Sequence, residues 1–453
     1  MSSWLSLLPA LIAIPLAFVT HRVVLSLGLY VFIGALILEH GWLPDAFTRL
    51  LAIFWQVVKD PDNELILAFS LLIGGLIGLI QRAGGIEGFV RWAEARRLIG
   101  TPRRVAVLAF VTSMGLFIET NFGVLIAGLI ALPLFDRYRL SRLRLSYLLD
   151  STCAPKCMLI PVNAWGAYVA SLLADQGSSQ PMRLLLESLP WVFYGWIAIA
   201  LAGAVAAMGW EPPFKMPFSE RAVGEVPHFG TVITPHADTP KRARHLWGPI
   251  GLLVTSVLVL LGLSGNAPLS IFIAVTGVLM GTCVYFGSKR ILAWSDMVSP
   301  ICQGIRMILP LMYLLICAFA VGATTRALGT GVFLASALHG QIDPIWLPFL
   351  VFGIGCLISF ASGTSWGTFA ILIPIVMPLT EVFQVSPAIL VGAALSGGLF
   401  GDHCSPVSDT TMIASLAAGV KPIEHIRHQL PYALLGAGVA LGLYLLAGLT
   451  IRL

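Results

Sequence analysis

Ile389-Leu-Val-Gly-Ala-Ala-Leu-Ser-Gly-Gly-Leu-Phe-Gly-Asp402-His403-Cys-Ser405-Pro-Val-Ser408-Asp409-Thr410-Thr411-Met-Ile-Ala-Ser-Leu-Ala-Ala418 is apolar at both ends and polar in its middle. An ionisable group at the centre of a membrane helix costs roughly 2.5 to 3.5 kcal/mol on insertion scales, so Asp402, His403 and Asp409 call for a functional reason. Gly397, Gly398, Gly401 and Pro406 interrupt a helix and free its carbonyls, while Ser405, Ser408, Thr410 and Thr411 add hydroxyl oxygens. Carbonyls, hydroxyls and carboxylates are hard ligands that suit a cation such as sodium. Capping of a helix end in solvent is the competing reading, and the apolar flanks on both sides weigh against it.

Outward from this stretch the whole chain has the same character. Its 453 residues are 57% hydrophobic and 11% charged, against about 25% charged in an ordinary soluble domain. Runs such as Trp4 to Thr20, Val23 to Leu38, Leu184 to Met208, Trp247 to Ser264 and Leu430 to Thr450 approach or exceed the roughly 20 residues that cross a hydrocarbon core. The expected class is an all-α polytopic membrane protein whose main partner is the lipid bilayer. Met1 to Ser6 carries no base, so the first run reads as retained rather than as a signal peptide. The seven cysteines show no C-x-x-C spacing, which suggests neither a disulfide framework nor a zinc site. The net charge of +5 lies in short connections between apolar runs, as membrane topology requires, and nucleic acid is set aside.

The architecture is written twice. Arg82 and Arg326, and likewise Thr120-Asn-Phe-Gly123 and Thr364-Ser-Trp-Gly367, stand 244 residues apart; Asp150-Ser-Thr-Cys-Ala-Pro155 then matches Gly401-Asp-His-Cys-Ser-Pro406 at 251. The proline- and charge-rich stretch 209–246 reads as a linker between a first repeat, 1–208, and a second, 247–453. Basic residues crowd both flanks of the apolar stretch 105–135, which predicts a re-entrant hairpin with its tip near Glu119 to Gly123. Its partner, about 346–380, has few flanking bases and would enter from the opposite face. Each repeat then holds about five transmembrane helices, a hairpin and a broken helix, at about 145–173 and 387–418, and the two repeats are inverted. The short stretch Ala46 to Val58, which contains Arg49, reads as interfacial.

The hairpin tips add Thr364 and Ser365 in the second half, with Gly363 and Gly367, and Glu119, Thr120 and Asn121 in the first. Small residues at close helix contacts are the alternative for these positions. Asp150, Ser151, Thr152 and Pro155 are expected to form the first-half break, with Asp150 a candidate cytoplasmic cap. Pairing with Asp150 is the leading reading for Lys156, ahead of holding an anion or replacing a cation. His403 suits either a proton relay or a structural imidazole, and His428 reads as surface.

The run Gly401-Asp-His-Cys-Ser-Pro-Val-Ser-Asp-Thr-Thr411, followed by Gln429-Leu-Pro-Tyr-Ala433, resembles the signature of the NhaC family of sodium/proton antiporters. Ser362-Gly-Thr-Ser-Trp-Gly-Thr368 resembles that family's second-half hairpin, and Ser146-Tyr-Leu-Leu-Asp-Ser-Thr152 with Ala164-Trp-Gly-Ala167 its first-half broken helix. The resemblance implies inverted repeats, a mobile part holding the hairpins, a bacterial inner membrane, frequent dimers, and exchange of sodium for protons or of organic anions with coupled ions. This chain departs from the pattern in carrying Glu119-Thr120 where a pair of aspartates is frequent, and Lys156 where an apolar residue is.

These readings converge on a secondary active transporter, not an enzyme, with Asp402 and Asp409 as cation and proton carboxylates and Thr364, Ser365, Ser405, Thr410 and Thr411 as neutral ligands. Sodium is the coupling or transported ion, and no cofactor motif is present, so an ion gradient is the expected energy source. The rivals are a coupled carrier of a small organic anion, held by Lys156, and an intramembrane hydrolase using Ser405, His403 and Asp409.

Overall fold

The structure is a computed structural model that describes residues 4–20, 23–96, 99–117, 120–210, 233, 241–264, 266–338, 340–405 and 408–450. Glu119, Pro406 and most of the expected linker therefore lie outside the described residues, as do the side chains of Asn121 and Asp409. The first half runs through α1 (Leu8–Thr20), α2 (Val23–Leu38), α3 (Leu43–Lys59), α4 (Pro61–Arg82), α5 (Gly85–Ala95), α6 (Pro102–Gly115), α7 (Thr120–Arg137), α8 (Arg142–Leu159), α9 (Ala164–Asp175), α10 (Pro181–Ser188) and α11 (Phe193–Met208). The second runs through α12 (Arg244–Ser264), α13 (Ala267–Ser288), α14 (Ser295–Ala327), α15 (Thr330–Leu338), α16 (Leu347–Ser362), α17 (Ser365–Phe383), α18 (Pro387–Cys404), α19 (Asp409–Ala417) and α20 (Pro422–Thr450). No strand occurs among the described residues.

Local chemistry sets many of these ends. Proline opens α4, α6, α10, α18 and α20, where its missing N–H costs no helical hydrogen bond. The Asp60 carboxylate caps α4 by accepting from the amides of Asp62 and Asn63, each at 3.1 Å. Gly363 ends α16 with φ at 65°, a left-handed conformation that favours glycine.

Among the described residues, six helical segments are long and apolar enough to cross a bilayer, and the pairs α8–α9 and α10–α11, bent by 47° and 53°, reach that length and hydropathy together. The second bend corrects the reading of Leu184 to Met208 as one helix: Leu189–Trp191 forms a 3-10 turn around Pro190, which cannot continue an α-helical ladder. Large apolar side chains face outward on several helices, including Leu258, Leu263, Met280 and Leu357. An exterior of that kind belongs in lipid, and the chain is a multi-pass membrane protein. Helix α3 differs, burying Ala46, Ile53 and Val57 while Phe47, Leu51 and Trp55 stay exposed beside Arg49 and Lys59, and it is not one of the spans.

Helices α4 and α14 cross where glycine faces glycine. A Cβ on Gly304 would overlap the carbonyl of Gly74, and one on Gly78 the carbonyl of Pro300, so the backbones touch as in other small-residue membrane contacts. Helices α16 and α18 repeat the device, with Gly397 against Gly355 and Gly401 against Ser359 and Phe360.

Helix boundaries recur across the chain. Pairs α6 and α16, α7 and α17, α8 and α18, and α9 and α19 each begin 245 residues apart, and Arg82 and Ala327 end α4 and α14 at the same spacing. This register corrects the match of Asp150 to Pro155 with Gly401 to Pro406. Pro161-Val-Asn163 falls opposite Pro406-Val-Ser408, and Asn163 and Ser408 are the N-cap residues of α9 and α19. Asp150, Ser151, Thr152 and Pro155 lie inside continuous α8, and the first-half interruption comes later, at Ile160 to Asn163. Asn163 fixes it by donating to the carbonyls of Phe117, Cys157 and Ile160 at 3.1, 2.9 and 2.9 Å, while its side-chain oxygen accepts from the amides of Trp165 and Gly166.

Candidate ion-binding site

Asp402 lies in the last turn of α18, 2% exposed. Its Oδ2 accepts from Ser365 Oγ at 2.8 Å, and its Oδ1 from Ser408 Oγ at 2.9 Å. Ser365 is the first residue of α17, so the carboxylate also faces the positive end of a helix dipole. Beyond Ser405 the chain leaves the helix, and α19 starts at Asp409. Thr410 Oγ1 and Thr411 Oγ1 donate to the Asp402 carbonyl at 3.1 and 3.3 Å, and Ser408 Oγ and Thr410 Oγ1 are 2.9 Å apart. One buried carboxylate, a carbonyl from a helix end and four hydroxyls thus form a single hydrogen-bonded cluster.

Of the residues expected here, Asp402, Ser365, Thr410 and Thr411 come together, and Ser408 joins them. Ser405 Oγ donates instead to the Phe360 carbonyl at 2.7 Å. Thr364 Oγ1 caps α17 through the amide of Gly367 at 3.5 Å. Thr120 Oγ1 accepts from Trp165 Nε1 at 2.9 Å, and Tyr168 donates to the Trp366 carbonyl at 2.9 Å. Trp165, Tyr168, Trp366 and Phe369 pack as one aromatic cluster where the first turns of α9 and α17 meet.

Asp150 forms a second buried centre. It is 1% exposed, in the middle of α8, and is not a cap in solvent. Its Oδ2 contacts His425 Nε2 at 3.0 Å and accepts from Gln429 Nε2 at 2.8 Å. His425 Nδ1 contacts Ser146 Oγ at 2.8 Å, and the Gln429 amide also donates to the His403 carbonyl. The His403 ring lies between Tyr194 OH on Nδ1 and Ser151 Oγ on Nε2, both at 2.7 Å. Both ring nitrogens are thereby committed away from Ser405, so the triad chemistry considered for a hydrolase is not assembled. Lys156 does not pair with Asp150. It is fully buried, and its Nζ donates to the Ser113 carbonyl at 2.6 Å and lies 3.4 Å from Ser113 Oγ. His428 is half-buried against the rings of Tyr147 and Tyr432, not on the surface.

Sequence reasoning passed over His425 and did not single out Gln429, although Gln429 opens the motif quoted above. The available signal was their spacing of four residues, which puts both on one face of α20. Ser146 and Ser113 carried none, because serines on membrane helices are common packing residues.

Many apolar helices, one of them broken beside a buried carboxylate, are those of a secondary transporter. The model of the Na+/H+ antiporter family matches residues 177–449, and the chain belongs to that family. An uncharacterized protein of Haemophilus influenzae is 31% identical over 99% of this chain and 92% of its own length. The Na(+)/H(+) antiporter NhaC of Alkalihalophilus pseudofirmus is 28% identical over 40% of this chain and 37% of its own. In fold, the chain resembles the Alcanivorax borkumensis YdaH transporter, with a TM-score of 0.52 at 15% identity over 90% of each chain.

Proposed function

We propose that this chain exchanges sodium for protons across the membrane, with Asp402 as the carboxylate that holds each in turn. The observation that carries the reading is the Asp402 carboxylate set between the hydroxyls of Ser365 and Ser408 at a helix break. Ionised, it offers sodium an anionic ligand with hydroxyl and carbonyl oxygens around it. Protonated, it donates a hydrogen bond to the same oxygens and no longer attracts the cation. Exchange follows because one carboxylate does not hold both. Asp409, at the start of α19, is the second carboxylate of this reading.

The recurrence of helix starts at 245 residues supports two repeats, and the basic residues around α6 and α7 support their insertion in opposite senses. The α6–α7 and α16–α17 pairs are then the hairpins of an alternating-access carrier. A carrier of organic anions needs the Lys156 ammonium to face its substrate, and the bond from Lys156 to the Ser113 carbonyl favours the cation reading.

The test is a proteoliposome containing a pH dye, with sodium, lithium or potassium added outside, followed by small carboxylates alongside sodium. Alkalinisation driven by sodium alone, and lost in an Asp402→Asn protein that still inserts, supports the proposal. A response that requires a carboxylate, or an Asp402→Asn protein with full exchange, defeats it.

A further inference from the structure

The 245-residue register places Thr152 opposite Gly397, Lys156 opposite Gly401 and Cys157 opposite Asp402. The surroundings are similar, with the hairpin serine shifted by one position from that register. In the second half, Ser359 near the end of α16 donates to the Gly397 carbonyl at 2.7 Å and accepts from the Gly401 amide at 2.9 Å. In the first, Ser113 near the end of α6 contacts Thr152 Oγ1 at 2.6 Å and Lys156 Nζ through both its carbonyl and its hydroxyl. One serine on each hairpin thus meets corresponding positions of each broken helix. What differs is charge: the second half has a glycine and then a carboxylate, and the first has an ammonium and then a thiol.

The ammonium lies at the hairpin tip. Ser113 is in the last turn of α6, where the helix dipole presents its negative end, and a Cβ on Gly123 in the first turn of α7 would be 3.2 Å from Nζ. Among the described residues the oxygen partners of Nζ are the Ser113 carbonyl and hydroxyl, and none of those residues brings a carboxylate within ion-pair distance. A fully buried charge needs such compensation to persist. We infer that the first-half hairpin tip is a monovalent-cation site filled permanently by the tethered ammonium of Lys156, leaving only the second half to load and release an ion. The inference rests on reading Asp402 as the sodium carboxylate.

The experiment compares Lys156→Ala, Lys156→Met and Lys156→Arg in proteoliposomes, measuring exchange of radiolabelled sodium at equal pH on both sides, with any amine present at the same concentration inside and out. Both neutral variants are expected to lose at least about tenfold in rate, with Lys156→Arg retaining most of it. Methylammonium at millimolar concentration is expected to restore Lys156→Ala, whose shortened side chain vacates the tip, and not Lys156→Met, which fills it. Wild-type exchange in Lys156→Met, or loss in Lys156→Ala that methylammonium leaves unchanged, overturns the inference. If Lys156→Ala does not insert, Lys156→Met against Lys156→Arg decides whether activity follows charge or volume. Sodium binding by Asp402→Asn, measured in parallel, separates the two readings: binding equal to wild type removes Asp402 from its role without touching the charge test at Lys156.

Discussion

The side-chain amide of Gln429 donates both to the Asp150 carboxylate, at 2.8 Å, and to the carbonyl of His403, so one residue of the last helix ties the two broken helices together. His403 directly follows Asp402, and the bridge therefore runs from the first-half acid to the backbone of the ion site. Gln429→Ala leaves a buried carboxylate and a buried carbonyl each short of a donor, at about 1 to 3 kcal/mol for a lost partner. The expected result is a lower unfolding temperature in detergent together with slower sodium-driven alkalinisation.

His425 and Asp150 are both almost fully buried and lie 3.0 Å apart. His425→Ala removes that partner and also the contact to Ser146, and is expected to destabilise the protein at least as much as Gln429→Ala does, by about 1 to 3 kcal/mol. His425→Gln preserves a donor and is expected to recover most of the loss. Thermal unfolding of the purified variants measures both.

Ser365→Ala removes a hydroxyl that touches Asp402 Oδ2 while leaving the start of α17 intact. A single neutral ligand is worth on the order of 1 kcal/mol, so the sodium concentration for half-maximal exchange is expected to rise by about three- to tenfold. Ser405→Ala, whose hydroxyl binds the Phe360 carbonyl, is expected to shift it far less. A sodium titration of exchange in proteoliposomes compares the pair.

Gly304→Ala places a methyl group on the Gly74 carbonyl where α14 crosses α4. Backbone cannot yield as a flexible side chain does, and overpacking of this sort costs about 1 to 3 kcal/mol. Gly277→Ala, with open space around its Cβ position, is the control and is expected to be neutral. Yield of folded monodisperse protein and its unfolding temperature read the difference.

Much of the framework was legible before any coordinates. Length of apolar runs, the clustering of arginine around α6 and α7, and glycine or proline inside an apolar stretch are local properties. They gave membrane insertion, a broken helix within 387–418 and a recurring order of landmarks, although Gly397, Gly398 and Gly401 lie inside continuous α18 and the helix ends only after Cys404. The register slipped because Cys153 and Pro155 coincide with Cys404 and Pro406 at a spacing of 251, whereas the feature that repeats is the proline and N-cap before α9 and α19. Pro190 was passed over for a similar reason, since a single proline in an apolar run is tolerated in many membrane helices.

The sequence by itself determined that a buried carboxylate would lie at a helix break in the second half, because insertion cost and helix-breaking residues act within a few turns of the chain. Only the tertiary structure decided which groups that half and its partner bring together. Ser146 and His425 are separated by 279 residues and meet at 2.8 Å, and Lys156 leaves Asp150 for a serine carbonyl on α6. A buried polar group is satisfied by whichever donor or acceptor packing places within about 3 Å, and in a bundle of crossing helices that partner is set by where distant segments touch.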